Sequence, residues 1–195
     1  SLSIEEKMPI MSEWYRKNIE TLINFGITEE IINYAANNES IMAFRDGAID
    51  FLKTMYEKNI PIIVISAGVG NIIEQFLIRN NCNYSNIYIC SNFLEYEKGI
   101  VKGVRDNNLT HPLNKNEVFL PSNIKSKIIG RNNILLLGNS VLDINMAGTN
   151  RNVYKLGFLD EKIEERLESF KENYDIVCTD NTSYDEIRSK IKILN

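Results

Sequence analysis

Two short apolar runs, "IPIIVIS" (60–66) and "NILLLGN" (133–139), constrain this chain more than any other feature. Each stops at a small or polar residue and leads through a turn into helical spacing, "NIIEQFLIRNN" after the first and the residues from Asp143 through Met146 and Ala147 after the second. Apolar runs of this length read as strands covered on both faces. Strands alternating with helices build a mostly parallel sheet with helices on both sides. The runs "NIYICSN", "NVYKLGF" and "YDIVCTD" extend the pattern, with charged helices expected after the last two. The fold class is therefore α/β.

The first 45 residues read differently, as a helical unit without strands. Ser3 and Glu6 have the spacing of a capping box, and Met11, Trp14, Tyr15, Ile19, Leu22 and Ile23 recur at helical spacing before Gly26 ends the run. A second helix follows Thr28, and Trp14 is expected to pack within this unit. From residue 46 the α/β texture begins with the amphipathic "DGAIDFLKTMYEKN". "FLEYEKGIVKGV" reads as a hairpin, near 92–104, turning at Lys98-Gly99. Residues 105 to 128 read as a polar stretch. The expected division is 1–45 and 46–195.

Open α/β sheets gather their chemistry where strands end. Ser66 closes the first strand, Ala67 and Gly68 allow close backbone approach, and Asn71 is expected to cap the following helix, so this turn has the parts of an anion site. Taken singly, a glycine turn serves packing more often than binding. Lys115 in "HPLNKNEV" alone is a solvated charge, and Asn139 with Asp143 alone is a turn residue with a helix cap.

Charge and composition remove several classes. A net charge of -4 without a basic cluster argues against nucleic acid. No apolar run approaches a membrane span, and the acidic start lacks the pattern of a signal peptide, so a soluble, cytoplasmic chain is expected. Cys82, Cys90 and Cys178 are odd in number and widely spaced, which reads as buried reduced thiols rather than disulfides or zinc ligands. The single His111, before a proline, reads as a loop residue without a role.

The order Ser66, Lys115 and the later "G-[DN]-S-x-x-D" turn resembles motifs two, three and four of the haloacid-dehalogenase superfamily of phosphotransferases. More closely, "EEKMPIMSEWYRKN", "SAGVGNIIEQF", "CSNFLEYEKGIVKG", "NILLLGNSVLDINMA" and "LGFLDEKIEERLESFKENYDIV" are similar to the cytosolic pyrimidine 5'-nucleotidase family of UMPH-1 type, cytosolic 5'-nucleotidase III. That resemblance implies a Rossmann-like core, a small helical cap, and magnesium-dependent removal of phosphate from nucleoside monophosphates. It places Ser66, Ala67 and the Gly68 N–H on phosphate oxygens and Lys115 on phosphate charge. It makes Asp143 a support of the metal site and puts Asn18, where the family has serine, on the substrate side of the cap.

Two departures matter. The family's first motif, "DxDxT", carries the nucleophilic aspartate on the central strand, and no DxD occurs in the 195 residues. At the family's metal-binding aspartate stands Asn139, which offers a neutral oxygen where a hard cation wants carboxylate. Residue 1 falls where the family's cap is already under way, so the base-reading glutamate would precede it and base selectivity does not carry over. Two readings follow: a nucleotidase seen as a fragment or truncated member, or an inactive relative that keeps a phosphate pocket or binds protein. With the central strand missing, the strands at 62 and 134 are expected to pair directly or to recruit another segment, including a second copy of the chain.

Overall fold

The computed structural model describes residues 2–117, 120–148 and 151–179. These fall into two compact units, one of residues 1–43 with 61–115 and one of 44–60 with 116–195.

In the first unit, helix α1 (Ile4–Asn24) starts at the expected capping box: the Glu6 N–H donates to Ser3 Oγ at 3.2 Å and the Ser3 N–H to Glu6 Oε2 at 2.8 Å. Gly26, at φ 62°, ends the run, and Thr28 caps α2 (Glu29–Asn37). Trp14 is 56% exposed, against the expectation that it packs inside. The inward face of α1 is instead Ile19, Leu22 and Ile23, which pack on Ile32, Leu94 and Val101. Trp14 and Ile19 lie five positions apart, well over one turn, so they point in different directions.

Strand β1 (Ile62–Val69) pairs in parallel with β2 (Ile87–Asn92), with α4 (Gly70–Arg79) between them in sequence and α3 (Ala48–Glu57) preceding them in the second unit. The expected glycine turn is a bulged extension of β1. Ile65 faces Cys90 and Val69 faces Asn92, so Ser66, Ala67 and Gly68 together oppose Ser91 alone. α4 begins at Gly70 without a side-chain cap. Asn71, expected as that cap, bonds the Leu94 backbone in both directions instead, accepting its N–H at 2.7 Å and donating to its carbonyl at 3.3 Å. The hairpin β3 (Leu94–Glu97) and β4 (Ile100–Val104) turns at Lys98 and Gly99, both at positive φ, as the Lys-Gly pair predicts.

In the second unit, β5 (Asn133–Gly138), β6 (Asn152–Leu159) and β7 (Ile176–Thr179) form a parallel sheet in that order, covered by α6 (Ile163–Asn173). Leu136, Leu159, Phe170 and Tyr174 form its core. The polar stretch 105–128 holds one short helix, α5 (Ser122–Ile128), with Ile124 buried. The helix expected after "YDIVCTD" lies outside the described residues.

Among the described residues β1 pairs with β2 in the first unit, and β5 with β6 in the second. The helical segment shares a unit with β1 to β4 because the apolar face of α1 is buried on the hairpin. No helix among the described residues is long and apolar enough to cross a membrane.

Candidate functional site

The bulge at Ser66–Gly68 leaves the β1–β2 ladder, so its backbone groups need other partners. Side chains at the end of β2 provide them. Ser91 Oγ donates to the Gly68 carbonyl at 2.8 Å, and Asn92 Nδ2 donates to the Ala67 carbonyl at 3.0 Å. Within the turn, the Gly68 N–H donates to Ser66 Oγ at 3.1 Å. An oxygen that accepts this bond still has its own proton to donate, so Ser66 can address an anion. A Cβ at Gly70 would lie 2.7 Å from the Phe93 ring, and this close approach seats the start of α4 beside the turn.

Asn92, buried at 6% exposure, reaches further. Its Nδ2 also donates to the Thr110 carbonyl at 2.9 Å and its Oδ1 accepts the Thr110 N–H at 2.8 Å. One side chain thus ties the Ser66–Gly68 turn to the loop that carries Lys115. That loop is closed on itself by Asn114, whose Oδ1 accepts the His111 N–H at 2.7 Å and whose Nδ2 donates to the Leu109 carbonyl at 2.8 Å. Lys115 follows at once and is half-buried. His111 lies in this loop, as its sequence setting suggests, but it is fully buried, and burial lowers its pKa from the ordinary histidine value. Asn18 sits half-buried on α1, one turn beyond Tyr15.

In the second unit the loop after β5 is organised around Asp143. The expected helix opening at Asp143 is a short 3-10 helix, Val141–Met146, whose cap is Ser140. Asp143 closes the capping box, its Oδ2 accepting the N–H of both Asn139 and Ser140 at 3.1 Å. The carbonyls of the same residues are held from outside. Arg166 on α6 donates to that of Asn139 at 3.2 Å, and the Tyr174 hydroxyl to that of Ser140 at 2.6 Å. Burial, with the Asp143 charge adding to it, holds the Tyr174 phenol well above its usual pKa, so it stays a donor. A Cβ at Gly138 would come within 2.7 Å of the Asp143 Cβ, which explains glycine at this strand end.

This donor set does not fit the magnesium ion that the resemblance implies. One carboxylate oxygen is committed to two backbone N–H groups, Asn139 contributes an amide, and among the described residues no three His, Cys, Asp or Glu side chains converge. The cysteines are free, and burial pushes the Cys90 thiol up to about 11, so it is protonated and inert at neutral pH.

The structure therefore joins Ser66, Ala67, Gly68 and the Lys115 loop through Asn92 in one unit, and Asn139 with Asp143 in the other. Sequence reading missed Ser91, Asn92, Arg166 and Tyr174. The polar pair ending "NIYICSN" was a usable signal, since it too sits at the carboxyl end of a strand; Arg166 and Tyr174 gave none.

The family model described as Pyrimidine 5'-nucleotidase (UMPH-1) matches residues 1–195. A 7-methylguanosine phosphate-specific 5'-nucleotidase of Mus musculus is 34% identical over 97% of this chain, and the A form from Xenopus laevis is 33% identical over 98%. The chain spans 64% and 67% of the length of those relatives. Among solved structures, cytosolic 5'-nucleotidase IIIB bound to cytidine superposes with a TM-score of 0.84 at 29% identity, covering 99% of this chain and 66% of that one. A phosphoserine phosphohydrolase-like protein from Francisella tularensis shares the fold, at a TM-score of 0.53 and 16% identity over 96% of this chain and 90% of that one. The α/β architecture with parallel sheets is thus the haloacid-dehalogenase-like core expected.

Proposed function

Since the chain belongs to the pyrimidine 5'-nucleotidase (UMPH-1) family, we propose that it forms the phosphate-holding part of an enzyme that hydrolyses nucleoside 5'-monophosphates to nucleoside and phosphate. The observation that carries this reading is the Asn92 clamp, which holds the Ser66–Gly68 turn and the Lys115 loop together. Phosphoryl transfer is mostly positioning and charge stabilisation, so a turn held in register with a lysine-bearing loop suits it. Ser66 and the backbone of Ala67 and Gly68 hold phosphate oxygens, Lys115 offsets their charge, and Asn18 faces the nucleoside from the helical cap, residues 1–45 of a cap-and-core arrangement. Magnesium is the family's expected metal. In this chain Asn139 weakens its site, and Asp143 supports the loop through the N–H groups of Asn139 and Ser140.

Phosphate titration tests the reading. Inorganic phosphate is expected to bind weakly without metal, and Lys115→Ala to weaken it by about tenfold, the worth of one charge-assisted hydrogen bond. Equal affinity in wild type and variant removes Lys115 from the site.

Asn139 favours a second reading, an inactive relative that binds phosphate or nucleotide, or docks protein, without turning substrate over. The small-molecule partner of the pocket is a nucleoside monophosphate or phosphate, and the net charge of -4 supports no nucleic-acid partner. The word cytosolic in the name of the solved neighbour supports a cytoplasmic location.

Self-association through the sheets belongs to the same proposal. β1 and β5 each have one strand partner among the described residues, and strand edges recruit further strands. Hydrogen exchange over 62–65 and 134–137 is expected to slow as protein concentration rises. Exchange independent of concentration rules self-association out.

A further inference from the structure

His111 is the one histidine in the chain, fully buried, and outside the phosphate-binding set described above. Its Nε2 lies 3.0 Å from Ser12 Oγ on α1, a partner 99 residues away in sequence. Ser12 spends its own proton on the Met8 carbonyl one turn back, at 3.0 Å. With the Ser12 proton on Met8, the hydrogen between the two is the ring's, which corresponds to the neutral Nε2–H tautomer with Nδ1 as an acceptor. That agrees with Nδ1 being buried without a partner, and with burial disfavouring the charged ring. On its other side the His111 backbone is gripped by Asn114, directly before Lys115, and its neighbour Thr110 by Asn92. The ring also lies 6.0 Å from that of Tyr15, which meets Trp14 edge-on at 5.1 Å.

We propose that His111, through its Nε2–H bond to Ser12, is a positioning residue that holds the Lys115 loop and α1 in one register, so that an anion at Lys115 is felt along the helix that carries Asn18. The idea rests on Lys115 being the phosphate cation. It deepens that assignment: phosphate capture and the nucleoside-facing helix become one coupled unit rather than two independent surfaces. A loop that merely packed on α1 would need an apolar side chain here, whereas a buried imidazole with a single defined donor sets both distance and angle.

The chain contains its own reporters, one histidine for ring NMR and one tryptophan, Trp14, for fluorescence on α1. Ring nitrogen shifts are expected to show the Nε2–H tautomer in wild type. Added inorganic phosphate is expected to move both the His111 signals and the Trp14 emission. Ser12→Ala and His111→Asn, which cannot make the bond, are expected to lose the Trp14 response while Lys115-loop amides still shift with phosphate. His111→Gln places a donor where Nε2 stood and is expected to retain it, which a purely space-filling role does not predict. Should the Ser12 variant fail to fold, wild type decides alone: Lys115-loop amides that respond to phosphate while His111 and Trp14 stay unmoved overturn the coupling and leave the phosphate site intact. No phosphate response anywhere overturns both.

Discussion

Incubated with CMP or UMP and magnesium, the 195-residue polypeptide is expected to release no phosphate above the uncatalysed rate. The resemblance implies an aspartate nucleophile in a DxDxT motif, and the 195 residues contain no DxD from which to supply it. The loop that should help hold the cation offers the Asn139 amide, and the Asp143 Oδ2 already serves two backbone N–H groups. Asn139→Asp in the same polypeptide is expected to improve magnesium affinity modestly and to leave turnover absent, because it adds one ligand and no nucleophile. Phosphate release is the measurement, with a complete relative as the positive control. Magnesium-dependent turnover through a phosphorylated protein intermediate sinks this account and makes one of the chain's own aspartates the nucleophile.

Asn92→Ala is expected to cost about 2–5 kcal/mol of stability, since it strips partners from the Ala67 carbonyl and from both backbone groups of Thr110 in a buried setting. Against a usual domain stability of about 5–15 kcal/mol that is a large loss. Phosphate affinity is expected to fall with it, because the turn and the Lys115 loop are no longer tied. Asn92→Asp is expected to be worse, as it turns an acceptor toward two carbonyls. Denaturant midpoints and phosphate titration read both effects. A midpoint and an affinity unchanged in Asn92→Ala make the clamp incidental.

Local signals were read well wherever the physics is local. The capping box at Ser3 and Glu6, the helix that follows Thr28 and the Lys98-Gly99 turn each rest on residues close in sequence, and each is present. The errors cluster where two partners compete for one polar side chain. Asn71 and Asp143 both sit at plausible helix starts, but Asn71 is drawn to the Leu94 backbone 23 residues away, and Asp143 is displaced into the third helical position by Ser140.

The alternation of strands and helices, the class of fold and the order of Ser66, Lys115 and the Asn139–Asp143 turn are legible in the sequence alone, because periodicity and spacing are properties of neighbouring residues. Only the tertiary structure decided what the polar side chains do. Asn92 joins Ala67 to Thr110 across 25 and 18 positions, Tyr174 holds Ser140 across 34, and His111 finds Ser12 across 99. A hydrogen bond forms with whichever donor or acceptor the fold brings within about 3 Å, and buried groups must find one. The strand partners of β1 and β5 are of the same kind, set by which chain segments meet rather than by the apolar runs that make each one a strand.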